Sequence, residues 1–392
     1  MKAKKRKTRR PTARRFNPPA CKNFTGYKPC FPGTVCLEQC AANEPLGTRI
    51  LLVNLDAMGN VLATTSILPA IKRKYPVSTI TWITEKNTLP LLQGNPYVDA
   101  ALAWDPENWL ILRQREFDLV LNVDKSQRSA ALTMETRAGR KMGFGINGNG
   151  HIVPLNPEAW ENYRLGLDDH EKFRVNKKTV PELQCEELGL PYGRDEYVFR
   201  LSAEEEEFCR RYAEEHGITE ATLVVGFNTG CSELYPNKKM TIDQHATLIE
   251  RIAEIPDVTI LLLGGPEDTL RNAEIARRTG SAALNTPTTE GVRRGTCYEN
   301  LCDVVISGDS FGMHIAIALK KYVIAWFGVS CWTEIDLFER GRKLIPEGLA
   351  CSPCWKKVCP YGLECIGMID LDRIVREVSS LADKHRAAHG AP

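Results

Sequence analysis

Short apolar runs closed by turn residues alternate with stretches of helical periodicity, and they do so twice along the chain. In the first series RILLVNL (49–55), STITWIT (78–84), ALAWD (101–105) and FDLVLNV (117–123) read as buried strands, with KMGFGI strand-like after them. VLATTSILPAIKRKY (61–75) lies between two of them with apolar residues at helical spacing, and Pro76 ends it. Residues 146–200 carry no clean repeat. SAEEEEFCRRYAEEHG (202–217) then opens a helix with a Ser-x-x-Glu capping box. The second series follows, with strands at TLVVGFN (222–228), VTILLLG (258–264), CDVVISG (302–308) and YVIAWFG (322–328). Helical segments separate them, and LDRIVREVSSLADKHRAA (371–388) is a final amphipathic helix. Strands joined through helices pair in parallel. The expectation is an α/β protein of two doubly wound, Rossmann-like units, 48–200 and 201–370, followed by the helix 371–388.

A length of 392 residues suits two such domains. No apolar run is long enough to span a membrane. Nine of the first fifteen residues are Lys or Arg, so the rest of the chain is net acidic although the formal net charge is +2. This basic tail (1–20) has no apolar h-region and reads as a disordered arm, or as one drawn to an anionic headgroup surface. No groove-reading module stands behind it, so nucleic acid is not an expected partner. The placement implied is cytoplasmic, with peripheral contact at the inner face of the membrane.

In open α/β sheets ligands bind beyond the carboxyl ends of the strands, so the residues just after each strand carry the chemistry. After the first strand, Asp56-Ala-Met-Gly59-Asn60 turns the chain into a helix. Asp124 follows FDLVLNV and is either a substrate-facing carboxylate or a loop Asp paired with Lys125 or Arg128. In the second unit Thr229, Gly230 and Lys238 follow a strand, as do Gly264 and Gly265. A lysine here can hold a diphosphate, and paired glycines allow close backbone approach or simply a tight turn. Asp309-Ser310-Phe311-Gly312-Met313-His314 opens a helix, whose N-terminus favours an anion. Asp309 can cap that helix, bind a sugar hydroxyl, or do both, and His314 is equally readable as structural.

ILLVNLDAMGNVLATTSILPAIKRKYP, ITWIT and LLQGNPYVD resemble the start of the ADP-heptose:lipopolysaccharide heptosyltransferase family, glycosyltransferase family 9. The Asp309–His314 element is similar to that family's Asp-Thr-Gly-Leu-x-His, and ACSPCWKKVCP to its Cys-Ser-Pro-Cys element. The resemblance covers about 48–385 and implies the GT-B arrangement, two Rossmann-like domains facing a cleft, with the last helix crossing back to the first unit. It implies an acceptor-binding first domain and a nucleotide-sugar-binding second domain. The donor residues implied are Lys238, Asp309, Ser310, Gly312 and His314, to which position after a strand adds Thr229, Gly230, Gly264 and Gly265. Asn60 occupies the catalytic position where the family has its basic Asp, and an amide is no useful base near neutral pH. Asp56 and Asp124 are the substitutes, with Asp124 preferred. The implied reaction is inverting transfer of heptose from ADP-heptose to a glycan or lipid A-core hydroxyl, with no divalent ion required. A protein acceptor, a nucleotide-sugar epimerase on the same fold and a non-catalytic descendant that only binds nucleotide sugar are the alternatives.

Eight of the fourteen cysteines fall in two clusters. Cys21, Cys30, Cys36 and Cys40 lie in a Cys-rich segment (21–47) with no apolar periodicity, where free thiols or tetrahedral zinc or iron–sulfur ligation are the readings. Cys351, Cys354, Cys359 and Cys365, with Cys331 upstream, form the second candidate set. Autotransporter heptosyltransferases of this superfamily bind iron through four cysteines in this region, which implies iron or zinc here.

Overall fold

The computed structural model describes residues 19–389 except Thr25, Thr34, 37–39 and Asp56. The expectations for the basic tail up to residue 18 and for Asp56 lie outside the described residues.

The first unit is a six-stranded sheet of β1 (Thr48–Val53), β2 (Ser78–Thr84), β3 (Ala100–Ala103), β4 (Glu116–Asn122), β5 (Arg137–Ile146) and β6 (Ile152–Pro154). Its order is β3-β2-β1-β4-β5-β6, parallel except for the antiparallel edge strand β6. The second unit holds β7 (Leu223–Asn228), β8 (Val258–Leu263), β9 (Leu284–Asn285), β10 (Val304–Gly308), β11 (Tyr322–Trp326) and β12 (Gly341–Leu344). Its order is β12-β11-β10-β7-β8-β9, all parallel. Central strands covered on both faces have no need to alternate, and β1 and β7 accordingly read as unbroken apolar runs.

Each order reverses once, between β1 and β4 in the first sheet and between β7 and β10 in the second. These reversals are the points where a doubly wound sheet leaves a crevice. The two crevices face each other. The helix Met58–Thr64, which follows β1, packs on the helix Phe311–Ala318, which follows β10. Leu62, Ala63 and Leu91 of the first unit share a buried cluster with Met313, Ala316 and Phe327 of the second. The contact at its centre requires a glycine. A Cβ on Gly59 would stand 2.5 Å from the His314 ring.

The last helix, Leu371–His389, corrects one expectation. It does not cross back but buries Ile374, Val378 and Ala382 with Leu248, Ile249 and Ile252 of the second unit's own core. Its apolar stripe has a ready partner in the helix Ile242–Ala253, and Arg251 pairs with Asp372 beside it at 2.6 Å. The span 146–200, read as irregular, holds the helices Trp160–Leu165 and Val180–Glu187, which pack together. The Cys-rich segment 21–47 forms no helix or named strand among its described residues and lies against the first sheet. Thr79 Oγ1 donates to the Leu46 carbonyl at 2.6 Å, and Lys22 reaches Asp99 at 3.4 Å.

Pairing of β4 with β5 depends on Gly143, whose φ is +87° and whose added Cβ would lie 1.9 Å from the Asn122 carbonyl oxygen. No L side chain fits without parting the strands. Gly143→Ala should therefore lower stability by more than about 1 kcal/mol. Urea unfolding checks this, and an unchanged midpoint would refute it.

Candidate active site

The second unit's reversal point gathers most of the expected donor residues. Asn228 ends β7, and its amide donates to Ser310 Oγ at 2.9 Å and Ser307 Oγ at 3.2 Å across the gap to β10. Gly312 permits this approach, because a Cβ there would overlap the Asn228 amide. The hydroxyl of Ser310 is thereby engaged sideways, and the helix Phe311–Ala318 receives no side-chain cap from Ser310. Asp309 does not supply one either; its carboxylate is turned to Lys238. The first-turn N–H groups of a helix left in this state are an anion site.

Lys238 Nζ donates to Asp309 Oδ2 at 2.7 Å, and both side chains are only 12% exposed. Burial opposes the charged carboxylate of Asp309. Lys238, His314 and a hydrogen bond from Ser330 outweigh it and hold the group below its usual range. The lysine is fixed from its other end as well, since Trp326 Nε1 donates to its carbonyl at 2.9 Å. Sequence spacing thus located an acid and a base that the fold joins over 71 residues.

His314 is buried, lies against Gly59 and faces Tyr197, with Nδ1 at 3.3 Å from the tyrosine oxygen. Burial pulls it down to about 4, so it is neutral near pH 7 and holds the two units in contact. Thr229 is fully buried and its hydroxyl donates to Asn272 instead of opening to a ligand. The Thr229 carbonyl is also occupied, accepting from Arg271 Nε at 3.0 Å. Gly230 and Gly264 both lie against the buried Asp268, where any Cβ would collide with its side chain. The Gly265 N–H donates to Asp268 Oδ2 at 3.1 Å. These glycines serve close packing of the loops beyond β7 and β8. Burial pushes the Asp268 carboxyl up.

In the first unit Asp124 stands at the reversal point. It accepts from Asn54 Nδ2 at 2.5 Å and from the Leu55 N–H, tying the ends of β1 and β4. Beside it Lys125 reaches Asn162 Oδ1 at 2.5 Å, and Asn162 donates to the buried Glu187. Burial drives the Glu187 carboxyl strongly upward, with Lys125 opposing. Asn60 is exposed on the first turn of the helix Met58–Thr64, next to Gly59.

Cys351, Cys354, Cys359 and Cys365 line one cavity of about 130 Å³, with Gly328, Val329 and Asn237 among its walls. Cys331 is apart from it, its thiol facing Thr333 at 3.1 Å. Cys21 accepts from the Glu44 N–H at 3.4 Å. Among the described residues no three Cys, His, Asp or Glu side chains are drawn together closely enough to hold a metal ion as they stand. Residues missed at the sequence level are Asn228, Tyr197 and Trp355, whose ring lies 4.5 Å from Lys238 Nζ. Only Asn228, at a strand end, carried a positional signal.

The profile of glycosyltransferase family 9 (heptosyltransferase) matches residues 109–364. The lipopolysaccharide core heptosyltransferase OpsX of Haemophilus influenzae is 22% identical over 292 residues, covering 71% of this chain and 78% of that protein. The structure of E. coli ADP-heptose lps heptosyltransferase II covers 86% of this chain and 100% of its own, with TM-score 0.63 and 18% identity. The iron-containing dodecameric glycosyltransferase TibC of enterotoxigenic E. coli covers 92% of this chain and 85% of its own, with TM-score 0.55 and 11% identity.

Two buried histidines contribute to the acid limb of stability. His245, like His314, is pulled to about 4, by burial and by Arg271. An unfolded histidine titrates near 6.5, so below that pH the unfolded chain takes up protons that the folded chain refuses. The stability contributed by these two histidines is fully present above about pH 6.5 and is lost as pH falls toward 4. Each histidine should contribute a loss of about 2 kcal/mol between pH 7 and pH 5. His245→Gln should flatten the curve of unfolding free energy against pH by that amount. An equal slope in the variant would show that His245 takes no part.

Proposed function

Since the chain belongs to glycosyltransferase family 9 and is a glycosyltransferase, we propose that it transfers heptose from ADP-heptose to a hydroxyl of a lipopolysaccharide core or related glycan. The observation that carries this reading is the Lys238–Asp309 pair beside the uncapped N-terminus of the helix Phe311–Ala318. That site suits a leaving diphosphate, because the ammonium and the helix amides face growing negative charge without rearrangement. Asp309, freed from Lys238 when phosphate arrives, can accept from a donor hydroxyl. Asp124 deprotonates the acceptor hydroxyl, whose oxygen attacks the anomeric carbon as the diphosphate departs. The scheme needs no divalent ion. The glycines beyond β7 and β8 let their loops pack closely beside this site, with Thr229 holding its loop through Asn272. The first unit takes the acceptor. Catalysis beside a cytoplasmic membrane face, with the basic tail meeting anionic lipid, fits a lipid-linked acceptor. Among the described residues no helix is long and apolar enough to cross a membrane.

Cys351, Cys354, Cys359 and Cys365 are proposed as a structural metal set for iron or zinc. The fit rests on four thiols around one small cavity, the donor chemistry such metals prefer. A metal there would supply crosslinking of the loop 351–365 and takes no part in transfer. A second reading, in which the acceptor hydroxyl belongs to a protein, is carried by the cysteine pattern of the sequence alone.

Incubation with ADP-heptose and candidate acceptors, with ADP release and metal content read on one sample, tests the reading. Lys238→Ala should weaken ADP binding and lower kcat on the order of 10²-fold. An unaltered kcat and affinity would remove Lys238 from the site. Asp124→Asn should lower turnover about 10²-fold with ADP affinity near normal, provided its thermal midpoint holds. Full turnover in that variant would dismiss Asp124 as the base, and ADP binding without release under every acceptor would favour a binding protein.

A further inference from the structure

Trp355 lies between the cysteine-lined cavity and the donor lysine, and none of the chemistry above uses it. Its indole ring has the Lys238 ammonium 4.5 Å from its centroid and the Lys172 ammonium at 5.5 Å. Tyr235 packs edge-on against it at 5.3 Å. Its Nε1–H is buried and has no hydrogen-bond partner among the described residues. The ring is therefore set by its faces and its backbone. That backbone is unusual: φ is +49°, a conformation a bulky side chain adopts only when its surroundings impose it.

The surroundings do impose it. The N–H groups of Cys354 and Trp355 both donate to the Val329 carbonyl, at 3.0 and 2.9 Å. Ser352 Oγ donates to the Gly328 carbonyl at 2.6 Å. Arg174 holds the Ser352 and Ala350 carbonyls at 2.7 and 2.6 Å, and Asn237 donates to the Lys356 carbonyl at 2.7 Å. Arg174 and Lys172 come from the first half of the chain, while Asn237 and Lys238 come from the second. One ring thus meets two cations of separate origin, each of which also has a carboxylate partner, Asp309 at 2.7 Å for Lys238 and Glu334 at 3.4 Å for Lys172. Two ammonium groups repel, and the electron-rich face of an indole is the neutral surface that most stabilises a cation.

We propose that Trp355 is a positioning residue that gathers Lys238 and Lys172 for the second phosphate of the donor's diphosphate. This deepens the donor reading and rests on it. The preference is for the diphosphate as such. A nucleoside monophosphate offers a single phosphate and gains less from a second ammonium.

The test compares ADP with AMP, read as Kd by calorimetry on the full chain. Trp355→Ala should weaken ADP binding about five- to tenfold, the range of a partly desolvated cation–π contact. AMP binding should change less than twofold, and Trp355→Phe should recover most of the ADP affinity. In turnover, KM for the donor should rise in Trp355→Ala more than kcat falls. Should Trp355→Ala fail to fold, Trp355→Phe carries the test, with ADP binding about twofold weaker and AMP unchanged. Unchanged ADP affinity, equal weakening of ADP and AMP, or a phenylalanine variant as poor as alanine would each overturn the proposal. Failure of the unaltered protein to bind ADP would instead overturn the donor reading, and the proposal with it.

Discussion

The pair of Lys238 with Asp309 is the constraint around which the second unit is arranged. Two charges at 12% exposure are costly to desolvate, and such a pair persists only where further bonds complete both partners. Ser330 completes the carboxylate, and the indole of Trp355 faces the ammonium. Trp326 pins the lysine's backbone. These residues come from the loop after β7, the ends of β10 and β11, and the cysteine-lined loop. The ion pair therefore forms only once the strand order is right, and it is poised to exchange one partner for another. On the donor reading proposed above, an incoming diphosphate would replace the Asp309 carboxylate at the ammonium.

The two sheets solve the same problem at their reversal points in the same way. In the first, Asn54 follows β1 and donates across the gap to Asp124. In the second, Asn228 ends β7 and donates across the gap to Ser307 and Ser310. An amide suits this position because it donates to the neighbouring loop without adding charge to the crevice. The difference lies in what accepts. A carboxylate accepts in the first unit and two hydroxyls in the second.

Long apolar runs were legible because a strand buried on both faces has no choice of residue. The strands 341–344 and 284–285 escaped notice because they are short edge strands, GRKL and LN, whose exposed sides carry no pattern. The helices within 146–200 are six and eight residues long, too brief for periodicity to rise above noise. Asp309, Lys238 and His314 stood out through the resemblance to the family's motifs, with their position after strands as support. Thr229 was picked by position alone, yet its hydroxyl serves Asn272. Position after a strand reports the neighbourhood and not the direction of a side chain. Trp355 carried no signal at all, since its meaning depends on lysines 117 and 183 residues away.

That dependence bears on why a cysteine cluster should adjoin a sugar-transfer site. Trp355 follows Cys354 directly, and Cys354 and Trp355 share one acceptor, the Val329 carbonyl. A change in the backbone at Cys354 is thus transmitted to the ring within one peptide unit. The loop has little else to hold it, because between Cys351 and Gly362 it forms no helix or strand and Val358 and Tyr361 are exposed. Its order comes from a few hydrogen bonds to Arg174, Asn237, Gly328 and Val329 and from the walls of the cavity. A crosslink among four thiols adds order where secondary structure gives none, and a loop too short for a core of its own gains the most from one. On that argument the cysteines serve the transfer site indirectly, by keeping an aromatic surface in a strained backbone conformation where two ammonium groups need it.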